Sequence, residues 1–185
     1  MTERTKAIDA RDVQALRAET GAGVMDCKRA LEEAGGDVAK ARDILRQKGL
    51  AAAAKRAERE AREGVVEAYV HSGGRIGALV ELSSETDFVA RNADFRQLAK
   101  DIAMQVAAMA PVVVSEDDLS PEDRRQLVEE HGDEKRALEA AVLLRQPYIR
   151  DASKTVGDLV TALAASTGEN VRVRRFARFQ LGSAA

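Results

Sequence analysis

Apolar residues recur along this chain with two different periods, and the change between them falls at Gly64. Before that glycine the spacing is helical. Residues 1–10 show no period and read as loose. Val13 and Leu16 mark a short helix from Asp12 that breaks at Gly21-Ala22-Gly23. Val24, Cys27, Leu31 and Ala34 then share one stripe until Gly35-Gly36 ends it. Asp37 suits the N-cap of a third helix that carries Val38, Ala41 and Leu45 and ends near Gly49. Residues 1–50 therefore predict a bundle of three short helices. Residues 51–63 are Ala-rich, then densely charged, with Glu58 and Arg62 at i, i+4 spacing; they predict a solvated connecting helix.

Past Gly64 the period shortens to two. Val66, Ala68 and Val70 alternate with Val65, Glu67 and Tyr69, Ser72-Gly73-Gly74 turns the chain, and Ile76, Ala78, Val80 and Leu82 alternate on the return. This is a hairpin, and it needs a helix to cover its apolar face. The nearest candidate carries Phe95, Leu98, Ile102, Val106 and Met109 on one stripe. Val112–Val114 reads as a short extended piece. Ser120-Pro121-Glu122-Asp123 opens a further helix, with Ser as N-cap, Pro in the first position and acids in the first turn; Gly132 interrupts it. Leu138, Val142 and Leu143 precede an extended Gln146–Ile149, and Val156, Leu159, Val160 and Leu163 predict a short amphipathic helix. The last strand, Val171–Leu181, sets Val171 and Val173 against Arg172 and Arg174, with a bulge at Arg175-Phe176 and Phe179 in phase with the core valines. The fold class is α+β: an N-terminal three-helix bundle, then, over 64–185, an antiparallel sheet covered by helices.

Composition narrows the function classes. The chain has 185 residues, 45% apolar and 3% aromatic, so its cores are aliphatic. A formal net charge of -2 gives no global attraction to nucleic acid or to an acidic membrane. A single cysteine excludes an internal disulfide and a cysteine-based zinc site, and Cys27 lies on the apolar stripe, where it reads as buried and inert. No apolar run reaches spanning length and no leader pattern opens the chain, so a cytoplasmic location is expected. His71 and His131 have no metal-ligand spacing, no nucleophile context surrounds a Ser or Cys, and no Gly-x-x-x-x-Gly-Lys-Ser/Thr loop occurs. No enzyme active site, cofactor, metal or direct nucleotide binding is expected.

One stretch stands out against this background. Glu85-Thr86-Asp87-Phe88-Val89-Ala90-Arg91-Asn92 joins the returning strand to the periodic helix, and places a large aromatic beside a carboxylate at a turn. Local chemistry alone favours the plainer reading, in which Phe88 tucks under its own helix. At the Gly-rich joint, Val24 and Met25 are adjacent and one helix face cannot bury both equally; core and contact roles are evenly matched there.

Both stretches resemble the signatures of one family. Thr86-Asp87-Phe88-Val89 after a Val-Glu-Leu strand, and Arg17–Leu31 with its Thr20-Gly21-Ala22-Gly23-Val24-Met25-Asp26-Cys27 centre, are similar to the two motifs of elongation factor Ts, the nucleotide exchange factor of the translational GTPase EF-Tu. The resemblance is strongest over Val13–Met109 and Gly168–Gly182. It implies that the bundle is of the ubiquitin-associated type, and that 64–185 is a core for dimerisation and EF-Tu binding. It also implies that Phe88 wedges between EF-Tu helices while Asp87 perturbs the surroundings of the partner's Mg²⁺, with Thr86 and Val89 fixing the turn. Arg17, Val24 and Met25 would dock on EF-Tu's nucleotide-binding domain, although the family more often has Met at the Val24 position. The implied partners are EF-Tu, GDP-bound and nucleotide-free, and a second copy of the chain, since longer members carry the core twice and this chain carries it once. The stretch Val128–Leu138 is abbreviated even against short members.

Two readings from other classes compete. Arg172, Arg174, Arg175 and Arg178 interleaved with Phe176 and Phe179 resemble an RNA-binding strand, against which stand the net charge and the core phase of Phe179. A ubiquitin-like or nascent-chain binder would rest on the bundle alone and leave the Thr-Asp-Phe-Val turn unexplained.

Overall fold

The N-terminal helices are delimited by their caps. In the computed structural model, which describes residues 8–183, α1 (Ala10–Thr20) starts where the Asp9 carboxylate accepts the Arg11 N–H at 3.0 Å and stops at Gly21, φ 68°. α2 (Val24–Glu33) follows, and Asp37 caps α3 (Val38–Arg56) through the N–H groups of Ala39 and Lys40. Leu16, Cys27, Ala30, Leu31 and Ala41 are fully buried between these helices, with Val13 and Leu45 nearly so. Residues 8–10 of the stretch expected to be loose are ordered: Ile8 packs on this core, Asp9 caps α1 and Ala10 begins it, while residues 1–7 lie outside the described residues.

α3 does not end near Gly49. It continues to Arg56, because Ala51 and Ala52 come soon after with the strongest helix propensity and offset the roughly 1 kcal/mol that a mid-helix glycine costs. The expected connecting helix over 51–63 is correspondingly absent as a separate element. Its first half is the end of α3, and residues 57–62 are turn and irregular chain. No apolar stripe stabilises a helix there, and the Asn170 amide donates to the carbonyls of Ala57 and Arg59, at 3.3 and 2.8 Å, holding them in the turn. Arg62 pairs with Glu60 at 2.6 Å instead of with Glu58.

By its contacts the chain forms two compact units, and the division falls within α8 (Val156–Thr167): one takes the chain up to Arg59 with Thr161–Asn170, the other Glu60–Val160 with the chain from Val171. The second unit is built on an antiparallel sheet in the order β1 (Glu63–Val70), β2 (Ile76–Ser84), β5 (Arg172–Gln180). Between β2 and the rest of the chain stand the single-turn helix α4 (Asp87–Ala90) and then α5 (Ala93–Met109), which lies along one sheet face. Phe95, Ile102 and Val106 of α5 are buried together with Val65, Val80, Leu82 and Val173 of the sheet. The fold is α+β, as the periods predict.

The register decides which face is covered. Val65 opposes Leu82, Glu67 opposes Val80 and Tyr69 opposes Ala78, so these share the face beneath α5. Val66, Ala68 and Val70, the more apolar row of β1, lie on the other face with Leu79, and Val66 and Val70 are each about two-thirds exposed. β5 carries the expected bulge, one residue earlier than its sequence marks it: Leu82 opposes Val173 while Glu81 opposes Arg175, leaving Arg174 as the extra residue. One inserted residue inverts the side-chain parity beyond it. Phe176 is therefore half-buried, and Phe179, expected in the core, is 67% exposed on the open face.

The rest of the second unit closes around α5. α6 (Pro121–His131) has Ser120 as its cap and ends at Gly132, φ 86°, and Asp133 starts α7 (Glu134–Ala141). α6 buries no residue; Arg124 ties it to Glu116 and Glu134, and Glu116 also pairs with Arg145. Val113 bridges Val142 in parallel, as an extended piece. The fully buried Gln105 amide of α5 donates to Gln146 Oε1 and Pro147 O, both at 3.1 Å, and accepts the Ile149 N–H at 3.0 Å. A short pair, β3 (Pro147–Tyr148) and β4 (Asp151–Thr155), completes the unit; β4 has no apolar alternation and leaves no trace in the period.

Candidate functional site

The turn after β2 is fixed at both ends. At its entrance the buried Ser84 hydroxyl donates to Thr86 O at 3.0 Å, and Thr86 Oγ1 accepts the Val89 N–H at 3.4 Å, capping α4. At its exit the Arg96 guanidinium donates to Ala90 O at 3.1 Å, while Asn92 caps α5 by accepting the Asp94 N–H at 2.8 Å. Ala90 is buried beneath the turn. A four-residue helix has no stability of its own, so these anchors hold it.

What the turn displays is Phe88. Its side chain is 82% exposed, whereas Phe95 at the start of α5 is fully buried. The structure thus removes the plainer reading in which Phe88 tucks under its helix. Leaving a Phe in water forgoes roughly 1.5–3 kcal/mol of burial. Asp87 stands beside it, partly exposed, with a carboxylate oxygen 2.9 Å from the Arg91 guanidinium one turn on. Val89 is half-buried and Thr86 exposed.

In the other unit, α1 and α2 flank an open cleft of about 430 Å³ lined by Ile8, Ala10, Val13, Gln14, Arg17, Val24 and Lys28. Arg17 and Val24 meet at this cleft, and Met25 lies next along α2, with Val24 48% and Met25 60% exposed. Neither is a core residue, although the helical stripe includes Val24. Along α2, whose N-cap is Gly23, the buried residues are Cys27, Ala30 and Leu31.

Cys27 is buried, and burial pushes its thiol above the usual cysteine value, partly offset by the nearby Thr20 hydroxyl. A protonated, enclosed thiol is a poor nucleophile. At pH 8 the native chain should react with iodoacetamide at least ~10-fold more slowly than the chain unfolded in urea; equal rates would contradict the burial.

Among the described residues no group of three or more His, Cys, Asp or Glu is placed to hold a metal ion, and no helix is long and apolar enough to cross a membrane. His71 shares a hydrogen bond of 3.1 Å with the Tyr69 hydroxyl at the hairpin end. The arginines of β5 are largely engaged within the chain: Arg174 and Arg175 lie 3.5 and 2.7 Å from Glu81, and Arg178 donates to Ala107 O and Gln180 Oε1. The strand is a poor fit to an open basic groove for RNA.

The sequence model of the Elongation factor TS family matches residues 50–131, across the hairpin, the Thr-Asp-Phe-Val turn and α5. Among curated relatives, elongation factor Ts of Desulforamulus reducens is 50% identical over 194 residues, spanning 95% of this chain and 89% of its own length. That of Carboxydothermus hydrogenoformans is 51% identical over 189 residues, with 92% and 87% covered. The chain belongs to the elongation factor Ts family. It is an elongation factor of protein biosynthesis, and nucleotide exchange on EF-Tu is the role the family implies. A third relative, from Syntrophobacter fumaroxidans, is 47% identical over 198 residues, covering 97% of this chain and 99% of itself. That aligned length exceeds the 185 residues of this chain, so the relative carries residues this chain lacks.

Sequence reasoning singles out the turn and the Gly-rich joint but misses what supports them. Arg91 and Arg96 carry no role in it, although the i, i+4 spacing of Asp87 and Arg91 is a readable signal. The open sheet face escapes it because valines occupy both rows at the start of β1.

Proposed function

We propose that this chain releases GDP from EF-Tu mechanically, with Phe88 as the wedge and Asp87 as the group that disturbs the surroundings of the partner's Mg²⁺. The observation that carries the reading is a phenylalanine held almost fully in solvent on a turn pinned at both ends. A pre-formed projection pays its ordering entropy during folding and not at the encounter. Thr86 and Val89 keep the turn in shape. Mg²⁺ tolerates little departure from octahedral geometry, so a small displacement of the groups around it weakens it sharply. Arg17, Val24 and Met25 supply a second, apolar and basic contact on the nucleotide-binding domain.

Acceleration of release by ~10⁴-fold needs about 5.5 kcal/mol of differential interaction between nucleotide-free and nucleotide-bound partner. One wedge does not supply that, so the bundle contact adds anchoring. Linkage makes the effect reciprocal. Titrating GDP into the nucleotide-free complex must weaken binding of this chain by the same factor as the chain weakens GDP, as read by calorimetry. A Kd for this chain that does not respond to GDP overturns the proposal. Met25→Glu, at an exposed position, should weaken complex formation by roughly tenfold and leave the melting temperature unchanged; wild-type affinity would remove Met25 from the contact.

The active form is a homodimer in the cytoplasm. The open sheet face, with Val66, Val70, Leu79 and Phe179 in water, is the surface a second copy covers. A two-fold axis brings the same apolar rows together, which makes the face its own complement. Leu79→Arg places a charge at the middle of β2 on that face and should shift sedimentation from dimer to monomer; a wild-type monomer would contradict the assignment.

A further inference from the structure

Asp87 is not free to point anywhere. Its carboxylate lies 2.9 Å from the guanidinium of Arg91, the residue at the C-cap of α4. Arg91 is itself a surface residue with its side chain 76% exposed, and its backbone N–H already closes α4 on Asp87 O at 3.0 Å. The turn is held independently by Ser84, Thr86, Arg96 and Asn92. An exposed i, i+4 ion pair contributes little to stability. The consequence of the Arg91 side chain is therefore local: it biases the direction of the Asp87 carboxylate and offsets its charge, beside the aromatic ring that α4 exposes.

We infer that Arg91 is a positioning residue for exchange, acting through Asp87. The inference rests on the proposed role of the Thr86–Val89 turn. A nucleotide's phosphates and an approaching carboxylate repel each other, so a guanidinium that accompanies the carboxylate lowers that repulsion. A carboxylate already biased towards one direction also has less rotamer freedom to lose at the encounter. Both contributions act as the turn enters the nucleotide site, so they appear in the second-order rate of release. A planar fork holds a carboxylate better than an ammonium does, so Lys should substitute in part.

The test is a double-substitution cycle on the full-length chain with EF-Tu carrying fluorescent GDP. Arg91→Gln should lower the second-order rate of release, read at chain concentrations well below half-saturation, by about three- to tenfold. Arg91→Lys should recover most of the loss. In an Asp87→Asn background, Arg91→Gln should cause no further loss, since the carboxylate it positions is gone. Melting temperatures should match wild type throughout. In parallel, NMR side-chain couplings of Asp87 should report one dominant rotamer in wild type and averaging in Arg91→Gln. Wild-type rates for Arg91→Gln, or losses that multiply in the double variant, overturn the inference, the latter because Arg91 would then touch the partner directly. If Asp87→Asn and Phe88→Ala both exchange like wild type, the reading of the turn has failed and the inference with it. Averaged couplings in wild type would overturn the inference alone.

Discussion

Phe88→Ala should lower the rate of GDP release from EF-Tu by at least tenfold and leave the fold untouched. Both halves follow from the exposure of the side chain. At 82% exposed, the ring contributes almost nothing to the interior of its unit, so its removal should not move the melting temperature. If it is buried in a partner during exchange, its loss forfeits about 1.5–3 kcal/mol, which corresponds to a factor of ten or more in rate. Phe88→Leu should fall between, retaining apolar volume without the ring. Stopped-flow release with each variant measures the rates, and circular dichroism measures the melting. A Phe88→Ala variant that exchanges at the wild-type rate would show that the ring is exposed for another reason.

The largest effect on stability should come from Gly64→Ala. Gly64 begins the hairpin with φ 147°, a backbone conformation that side chains disfavour. A Cβ built there would lie 2.2 Å from Leu82 O and 2.8 Å from Ser83 Cα, and both obstacles are backbone. Neither can swing away as a side-chain tip could. The two strands would have to part at the point where β2 runs into the turn that carries Phe88. Backbone strain and overpacking together should cost about 3 kcal/mol, or a fall of roughly 6–12 °C in melting temperature for a chain of this size. A denaturant midpoint shifted without a change in slope would place the loss in the folded state. A melting temperature unchanged by the substitution would contradict the close approach. Because Ser84 supports Thr86, the surviving folded fraction should also exchange more slowly.

Much of this architecture is legible in the sequence, and the failures share a physical cause. The helices of the bundle are readable because each begins or ends on Gly21, Asp37 or a glycine pair, residues whose backbone preferences are local, whereas the Asp9 cap of α1 lies in the stretch that shows no period. Gly49 misleads for the opposite reason: a glycine stops a helix only when the residues after it cannot continue the helix, and Ala51 and Ala52 can. Parity in the sheet is the second weakness. Val65 and Val66 are equally apolar, so only pairing with Leu82 and Glu81 decides which of them is covered. In β5 one bulged residue, Arg174, turns Phe179 from an apparent core residue into the most exposed aromatic of the sheet. The bulge is visible as a break in alternation, but its consequence beyond the break depends on the register with β2. β4, with no apolar alternation, cannot be read at all.

The candidate site is legible to a different degree. Asp87 and Phe88 attract notice in any reading as a carboxylate beside an aromatic at a turn, yet exposure is not a property of the sequence. Local propensity favours burial, and the resemblance points outward. The four anchors at Ser84, Thr86, Arg96 and Asn92 all act on residues nearby in the chain. Thr86 and Asn92 follow the readable pattern of helix N-caps, whereas the bonds of Ser84 and Arg96 to backbone carbonyls follow no such pattern. At the Gly-rich joint the exposure of both Val24 and Met25 removes the core role that spacing leaves open, since α2 buries Cys27, Ala30 and Leu31 instead.

The decisive measurement is release of fluorescent GDP from EF-Tu, followed by stopped flow with this chain at a small fraction of the EF-Tu concentration. Every EF-Tu molecule should be emptied at a rate proportional to the chain added, because each chain leaves one complex and acts on the next. Release at the spontaneous rate, or a burst that stops at one turnover per chain, would contradict the proposed exchange role.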